Sequence, residues 1–86
     1  MDIADFRTII ALVESGSITA AARLLCRVPS AITARLQNIE SQLGTELFVR
    51  VNRRFIPTAE ASMPYEHALQ IMQLVAHAEQ QGARPA

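Results

Sequence analysis

The stretch from Arg27 to Glu40, "RVPSAITARLQNIE", decides how the rest of the chain is read. Pro29 suits the first position of a helix, because the N–H it lacks would have no intrahelical partner there. Val28 is then the cap, a poor one, worth about 1 kcal/mol less than serine. From Pro29 onward Ile32, Leu36, Ile39 and Leu43 recur at helical spacing and define one apolar face. The opposite face holds Ser30, Thr33, Ala34 and Gln37, all short or neutral, with Arg27 and Arg35 to the sides. Solvated helix faces normally carry Glu and Lys, which aid solubility and form i,i+4 pairs. This face carries neither. One greasy face locks such a helix down, while small groups on the other let its backbone come close to a partner. The competing reading is an ordinary three-helix core whose outer face is only solvated.

Working outward, Gly44 ends this helix. Upstream, "MDIADFRTIIALVESG" places Ile3, Phe6, Ile9, Ile10 and Val13 at helical spacing. Asp2 and Asp5 sit at the positive end of that helix, and Gly16 is a natural stop. Ser17 can cap a second helix with the stripe Ile18, Ala21, Ala22 and Leu25. The run Ala20–Ala22 leaves a thin surface that another helix can approach. Cys26-Arg27-Val28 is long enough only for a turn. Downstream, Leu47-Phe48-Val49 and Phe55-Ile56 read as short strands, with Val51-Asn52-Arg53-Arg54 as a polar hairpin tip. Pro57 ends the second strand, and Thr58 can cap the segment after it.

Residues 59–81 are helix-prone and, if fully helical, about 34 Å long. Tyr65, Leu69, Met72, Val75 and Ala76 form a stripe, which Ile71 and Leu74 widen. Pro64 would break or kink a helix begun at Thr58, so the helix starts late, near Ser62 or Met63, or bends there. The closing "GARPA" is expected to fray.

The 86 residues suffice for one small domain, and half are hydrophobic, enough for a modest core. The net charge is zero but unevenly placed. Residues 23–54 hold six arginines, at 23, 27, 35, 50, 53 and 54, against Glu40 and Glu46, a local charge of +4. The remainder, with Arg7 and Arg84 against six acids, carries −4. Every cation is Arg, which pairs in bidentate fashion with phosphate and guanine edges. Two short helices joined by a tight turn and followed by a hairpin make a helix-turn-helix with a wing. The expected class is therefore mainly α: three helices and a two-stranded β-wing over residues 1–58, then a long dimerisation helix and tail over 59–86.

At this point the chain resembles the amino-terminal DNA-binding region of LysR-type transcriptional regulators. The matching stretches are "FRTIIALVESGSITAAARLL", "PSAITARLQNIESQLGTELFVR" and "RRFIPTAEA", over about residues 2–61. The helix after them resembles the family's linker helix. The resemblance implies a pseudo-palindromic duplex site bound by a homodimer or higher homo-oligomer in the cytoplasm. It implies base readout by Pro29, Ser30, Thr33 and Ala34, and phosphate contacts by Ser17, Arg27, Arg35 and Arg50. It places Arg53 and Arg54 of the wing in the minor groove. Tyr65, Leu69, Met72, Val75 and Ala76 would pair with the same helix of a second copy.

The departures are also informative. A glutamine usual at the start of the family's recognition helix is Pro29 here, and a frequent arginine is Ala34. Base readout then leans on thymine-methyl contacts and on the hydroxyls of Ser30 and Thr33. The family's Thr-x-Ala-Gly becomes Thr58-Ala59-Glu60-Ala61, and Pro64 stands where an apolar residue is usual. Full members continue into a metabolite-sensing domain, and a small-molecule effector is expected only with that domain.

Other chemistries find little support. Cys26 is a lone thiol, read as half-buried packing rather than as a redox sensor. His67 and His77 are ten apart with no further ligand at metal-binding spacing. Glu60 and Glu66 read as solvated charges, and Ser30 and Ser41 have no nearby His. No enzyme, cofactor, metal or membrane span is expected. The rival reading is a dimerisation module or an inhibitor of longer relatives that binds no DNA itself. It leaves Arg53, Arg54 and the acid-free outer face of the third helix unexplained.

Overall fold

In the computed structural model, which describes residues 1–82, side-chain caps and left-handed glycines mark most of the ends of the first three helices. Helix α1 spans Ile3–Ser15. Its start is a reciprocal capping box: the Asp2 side chain accepts from the Asp5 N–H, and the Asp5 side chain accepts from the Asp2 N–H, each at 2.9 Å. It ends on Gly16 at φ 68, a left-handed conformation that glycine adopts without strain. The Gly16 carbonyl then accepts from the Phe55 N–H at 3.0 Å, so the same turn fastens the wing. Ser17 caps α2 (Ile18–Leu24) by accepting from the Ala20 N–H at 3.2 Å.

Helix α2 closes with the Arg27 N–H donating to the Ala22 carbonyl at 2.8 Å and Cys26 at φ 56. This bond pattern normally recruits glycine at the left-handed position. Helix α3 spans Pro29–Leu43, with Val28 as a cap that makes no side-chain hydrogen bond and Gly44 at φ 70 as its stop. Ile32, Leu36 and Ile39 are buried. They join Ile9, Leu12, Ile18, Ala21, Ala22, Leu47 and Phe48 in one core between the three helices and the base of the wing. Of the three small residues Ala20–Ala22, Ala21 and Ala22 are buried in that core and Ala20 is half-buried.

Strands β1 (Phe48–Val51) and β2 (Arg54–Pro57) pair antiparallel, Val49 against Ile56 and Arg50 against Phe55. Both run past the expected hydrophobic runs, which shortens the tip to Asn52 and Arg53 at φ 50 and 70. Two successive positive φ values are what a two-residue turn needs to match the twist of its strands. Thr58 holds the cap position of the next turn, but its side chain makes no cap hydrogen bond. Its hydroxyl donates to the Glu46 carbonyl at 2.7 Å and its N–H to the Leu47 carbonyl at 2.8 Å, closing the foot of the wing.

A short 3-10 turn, Ala59–Ala61, leads into helix α4, Ser62–Gly82. Of the two possibilities for Pro64, the late start is the one observed. Pro64 lies in the first turn, where its missing N–H breaks no bond. Ala61 is buried in the core cluster, so a division of the chain at residue 58 runs through packed side chains. Helix α4 lies alongside α1, and the molecule measures 52 × 24 × 19 Å. The expected fraying of "GARPA" falls largely on residues 83–86, outside the described residues, as does Arg84.

Candidate nucleic-acid interface

The core face of α3 fixes the direction of its outer face. Pro29, Ser30, Ala31, Thr33, Ala34, Gln37 and Asn38 are all exposed, and none is acidic. The Thr33 hydroxyl donates to the Pro29 carbonyl at 3.2 Å, so it presents only lone pairs outward. Gln37 was legible as part of this face, whereas Asn38 carried no signal of its own. It lines a shallow depression with Ala31, Ala34 and Arg35.

The four expected phosphate residues occupy different settings. Arg27 is exposed at the entry to α3. Ser17 is held at the start of α2, its oxygen accepting the cap bond. Arg50 stands on β1 with its guanidinium 5.0 Å from the centroid of the Phe55 ring, which orients the planar fork. Phe55 in turn leans on Phe48, with ring centroids 6.2 Å apart. Arg35, expected on a phosphate, is ion-paired within its own chain. Its Nη1 lies 2.8 Å from Asp5 and 3.3 Å from Asp2. This ties the recognition-type helix to the start of α1 and neutralises the guanidinium locally. The sequence held no signal for it, because the partners lie 30 and 33 residues away.

Burial pushes the Asp5 carboxyl up, but the Asp2 N–H and the hydrogen bond and charge of Arg35 outweigh it. Asp5 therefore sits below the usual carboxylate range. Arg7, counted with the acidic remainder on sequence grounds, lines the same groove between α1 and α3 as Arg27 and Arg35.

The wing carries Arg53 at its tip and Arg54 at the start of β2, both exposed. Arg53 holds a left-handed backbone that costs a non-glycine residue about 1 kcal/mol. Glu40, which on sequence grounds is only a charge, is structural. Its carboxylate accepts from the Leu47 and Phe48 N–H groups at 2.6 and 3.3 Å, docking the end of α3 onto the wing.

On α4 the expected pairing stripe is divided between its own domain and the surface. Tyr65 packs against the core of its own chain, and its hydroxyl donates to Glu14 at 2.9 Å. That bond raises the Tyr65 pKa above the ordinary value, helped by burial and the Glu14 charge. Leu69, Met72 and Val75 are half-buried and Ala76 is exposed. Ala68, which the stripe omitted, is fully buried. The most open large apolar residues of α4 are Met63 and Leu74, 64% and 68% exposed, with Ile71 half-buried one turn before Leu74. Cys26 is exposed rather than half-buried, because its left-handed backbone turns it out of the helix pair.

Among the described residues no group of His, Cys, Asp and Glu could hold a metal, and no helix is long and apolar enough to cross a membrane.

Residues 3–62 match the family model of the bacterial regulatory helix-turn-helix protein, lysR family. The transcriptional regulator AceR of Acinetobacter baumannii is 45% identical over 62 residues, covering 72% of this chain and 21% of that protein. The regulator YofA of Bacillus subtilis is 38% identical over 79 residues, covering 92% of this chain and 28% of that protein. The chain thus spans less than a third of the curated relatives it matches. Among solved structures, the BenM DNA-binding domain on its benA site 1 DNA superposes with a TM-score of 0.90 at 30% identity, both chains covered in full. The CbnR DNA-binding domain on DNA gives 0.87 at 29% identity, covering 95% of this chain and 94% of that one. The curated relatives are named as transcriptional regulators and not as enzymes. With the family model covering well over half its length, this chain belongs to the LysR family of bacterial helix-turn-helix regulators.

Proposed function

We propose that the chain is the DNA-reading part of a LysR-type transcriptional regulator, working on duplex DNA in the cytoplasm. One observation carries the reading. An exposed, acid-free face runs from Pro29 to Asn38 on a helix whose other face is locked into the core, with an arginine-tipped wing on the same domain. In this reading α3 enters the major groove and Pro29, Ser30, Thr33 and Ala34 face base edges. Thr33 accepts from an adenine or cytosine amino group, while Ala34 and the Thr33 methyl meet thymine methyls. Arg27, Arg50 and the Ser17 hydroxyl hold phosphates. Arg35 is left out of that set, since its guanidinium already serves Asp5 and Asp2. Arg53 and Arg54 reach the adjacent minor groove.

A second copy pairs through α4, making a dimer for a two-fold site. The residues available for that pairing are Leu74, Ile71 and Met63, with Leu69, Met72, Val75 and Ala76 beside them and Tyr65 retained in its own chain. The test is selection from a randomised duplex library with the wild type and Thr33→Ala. Enrichment of a two-fold site, with preference relaxed at one base pair per half-site in the variant, supports the reading. An absence of duplex binding at low salt would favour a pure dimerisation module.

A further inference from the structure

We propose that the groove between α1 and α3 is a seat for one backbone phosphate of the bound duplex, gripped by Arg7 together with Arg27. This rests on the reading of the chain as a DNA binder. The groove measures about 370 Å³, with Arg7 on the α1 side, Arg27 at the turn into α3, and Leu25, Ile32 and Thr8 among its lining residues. Ile32 and Thr8 are almost fully buried, and the Thr8 hydroxyl proton is already donated to the Ala4 carbonyl at 2.7 Å. That part of the lining therefore offers no anion a donor, and specificity falls to the guanidinium groups. Arg35 also lines the groove, but Asp5 and Asp2 compensate its charge. Arg7 and Arg27 are exposed and make no ion pair or side-chain hydrogen bond among the described residues. Two uncompensated cations bordering one partly apolar groove repel each other, and a single oxyanion relieves that repulsion.

The position selects the oxyanion. A helix with its side chains is about 10–12 Å across and the major groove about 12 Å wide, so phosphates lie against the flanks of an inserted helix. The groove opens along one such flank of α3. Ala31 forms part of its lining and has no side chain beyond Cβ to hold the strand away. The grip thus reaches from α3 to the first helix of the domain.

The experiment measures affinity for the selected duplex from about 50 to 200 mM salt in the wild type, Arg7→Ala and Arg7→Gln. Circular dichroism of each variant reports its fold. One phosphate contact contributes roughly −0.9 to the log–log salt slope. Over this fourfold rise in salt the wild type should therefore lose up to about 3.5-fold more affinity than either variant. Methylphosphonates, which remove one phosphate charge at a time, should reveal a position where the wild type is weakened, Arg7→Ala (which keeps Arg27) is weakened less, and the double variant Arg7→Ala/Arg27→Ala is not weakened further. Arg27→Ala should share that position. A folded Arg7 variant with the wild-type slope and no such position overturns the seat while leaving DNA binding intact. A wild type that binds no duplex overturns both.

Discussion

Removing the Asp5 carboxylate should unlock the recognition-type helix from α1, at a cost the geometry allows to be estimated. Asp5 is only 5% exposed. One of its oxygens accepts from the Asp2 N–H at 2.9 Å and the other from Arg35 at 2.8 Å. In Asp5→Ala the lost half of the capping box costs about 1 kcal/mol. The charge-assisted bond to Arg35 adds about 1.5–3 kcal/mol in a buried setting. Arg35 is 35% exposed and keeps Asp2 at 3.3 Å, so rehydration and the second acid hold that share to the low end. The expected loss is about 2–3 kcal/mol. Urea unfolding of the wild type, Asp5→Ala, Arg35→Ala and the double variant isolates the pair, with an expected coupling of about 1.5 kcal/mol. The Asp5 pKa is depressed in the fold, so this stabilisation is complete above the unfolded value of about 3.9. It fades as pH falls through the lower folded value, and the gap between wild type and Asp5→Ala should close there. A coupling indistinguishable from zero at pH 7, or a loss under about 0.5 kcal/mol for Asp5→Ala, would refute the tie.

Glu40→Ala strands two backbone N–H groups at the buried start of β1 and should lower stability by about 2–4 kcal/mol in the same unfolding assay. Arg53→Gly relaxes a left-handed backbone and should leave stability equal or raise it by up to about 1 kcal/mol, while weakening DNA binding. Exchanging flanking A·T pairs for G·C should then cost the wild type affinity and leave that variant indifferent; equal costs in both would dismiss the minor-groove role. Leu74→Glu alters an exposed residue, so sedimentation should show a folded monomer, and an unchanged dimer would move the interface elsewhere. Tyr65 is the chain's single tyrosine, so its ultraviolet titration is unambiguous. The midpoint should lie above pH 10 and fall in Glu14→Gln, and the hydrogen bond's stabilisation should be lost as pH rises through it.

What the sequence by itself determined is the punctuation. Gly16, Ser17, Pro29 and Gly44 mark helix ends because a cap depends on one residue's φ and on N–H groups within a turn of it. The buried face of α3 was legible for a similar reason, since Ile32, Leu36 and Ile39 repeat with the helix itself. Only the tertiary structure decided which neighbour takes each face and each charge. The apolar period on α4 was plain in the sequence. Nothing local said that α1 would claim Tyr65 and Ala68 and leave Leu74 bare. On sequence grounds Arg35 stood with the basic residues of 23–54 and Arg7 with the acidic remainder. Packing α1 against α3 brought Asp5 to Arg35 and left Arg7 on the rim of the groove with Arg27. Glu40 likewise became a dock for the wing because Leu47 and Phe48 return to it after Gly44. Charges act through space over a few ångströms, and the chain sets those distances only once its core has closed.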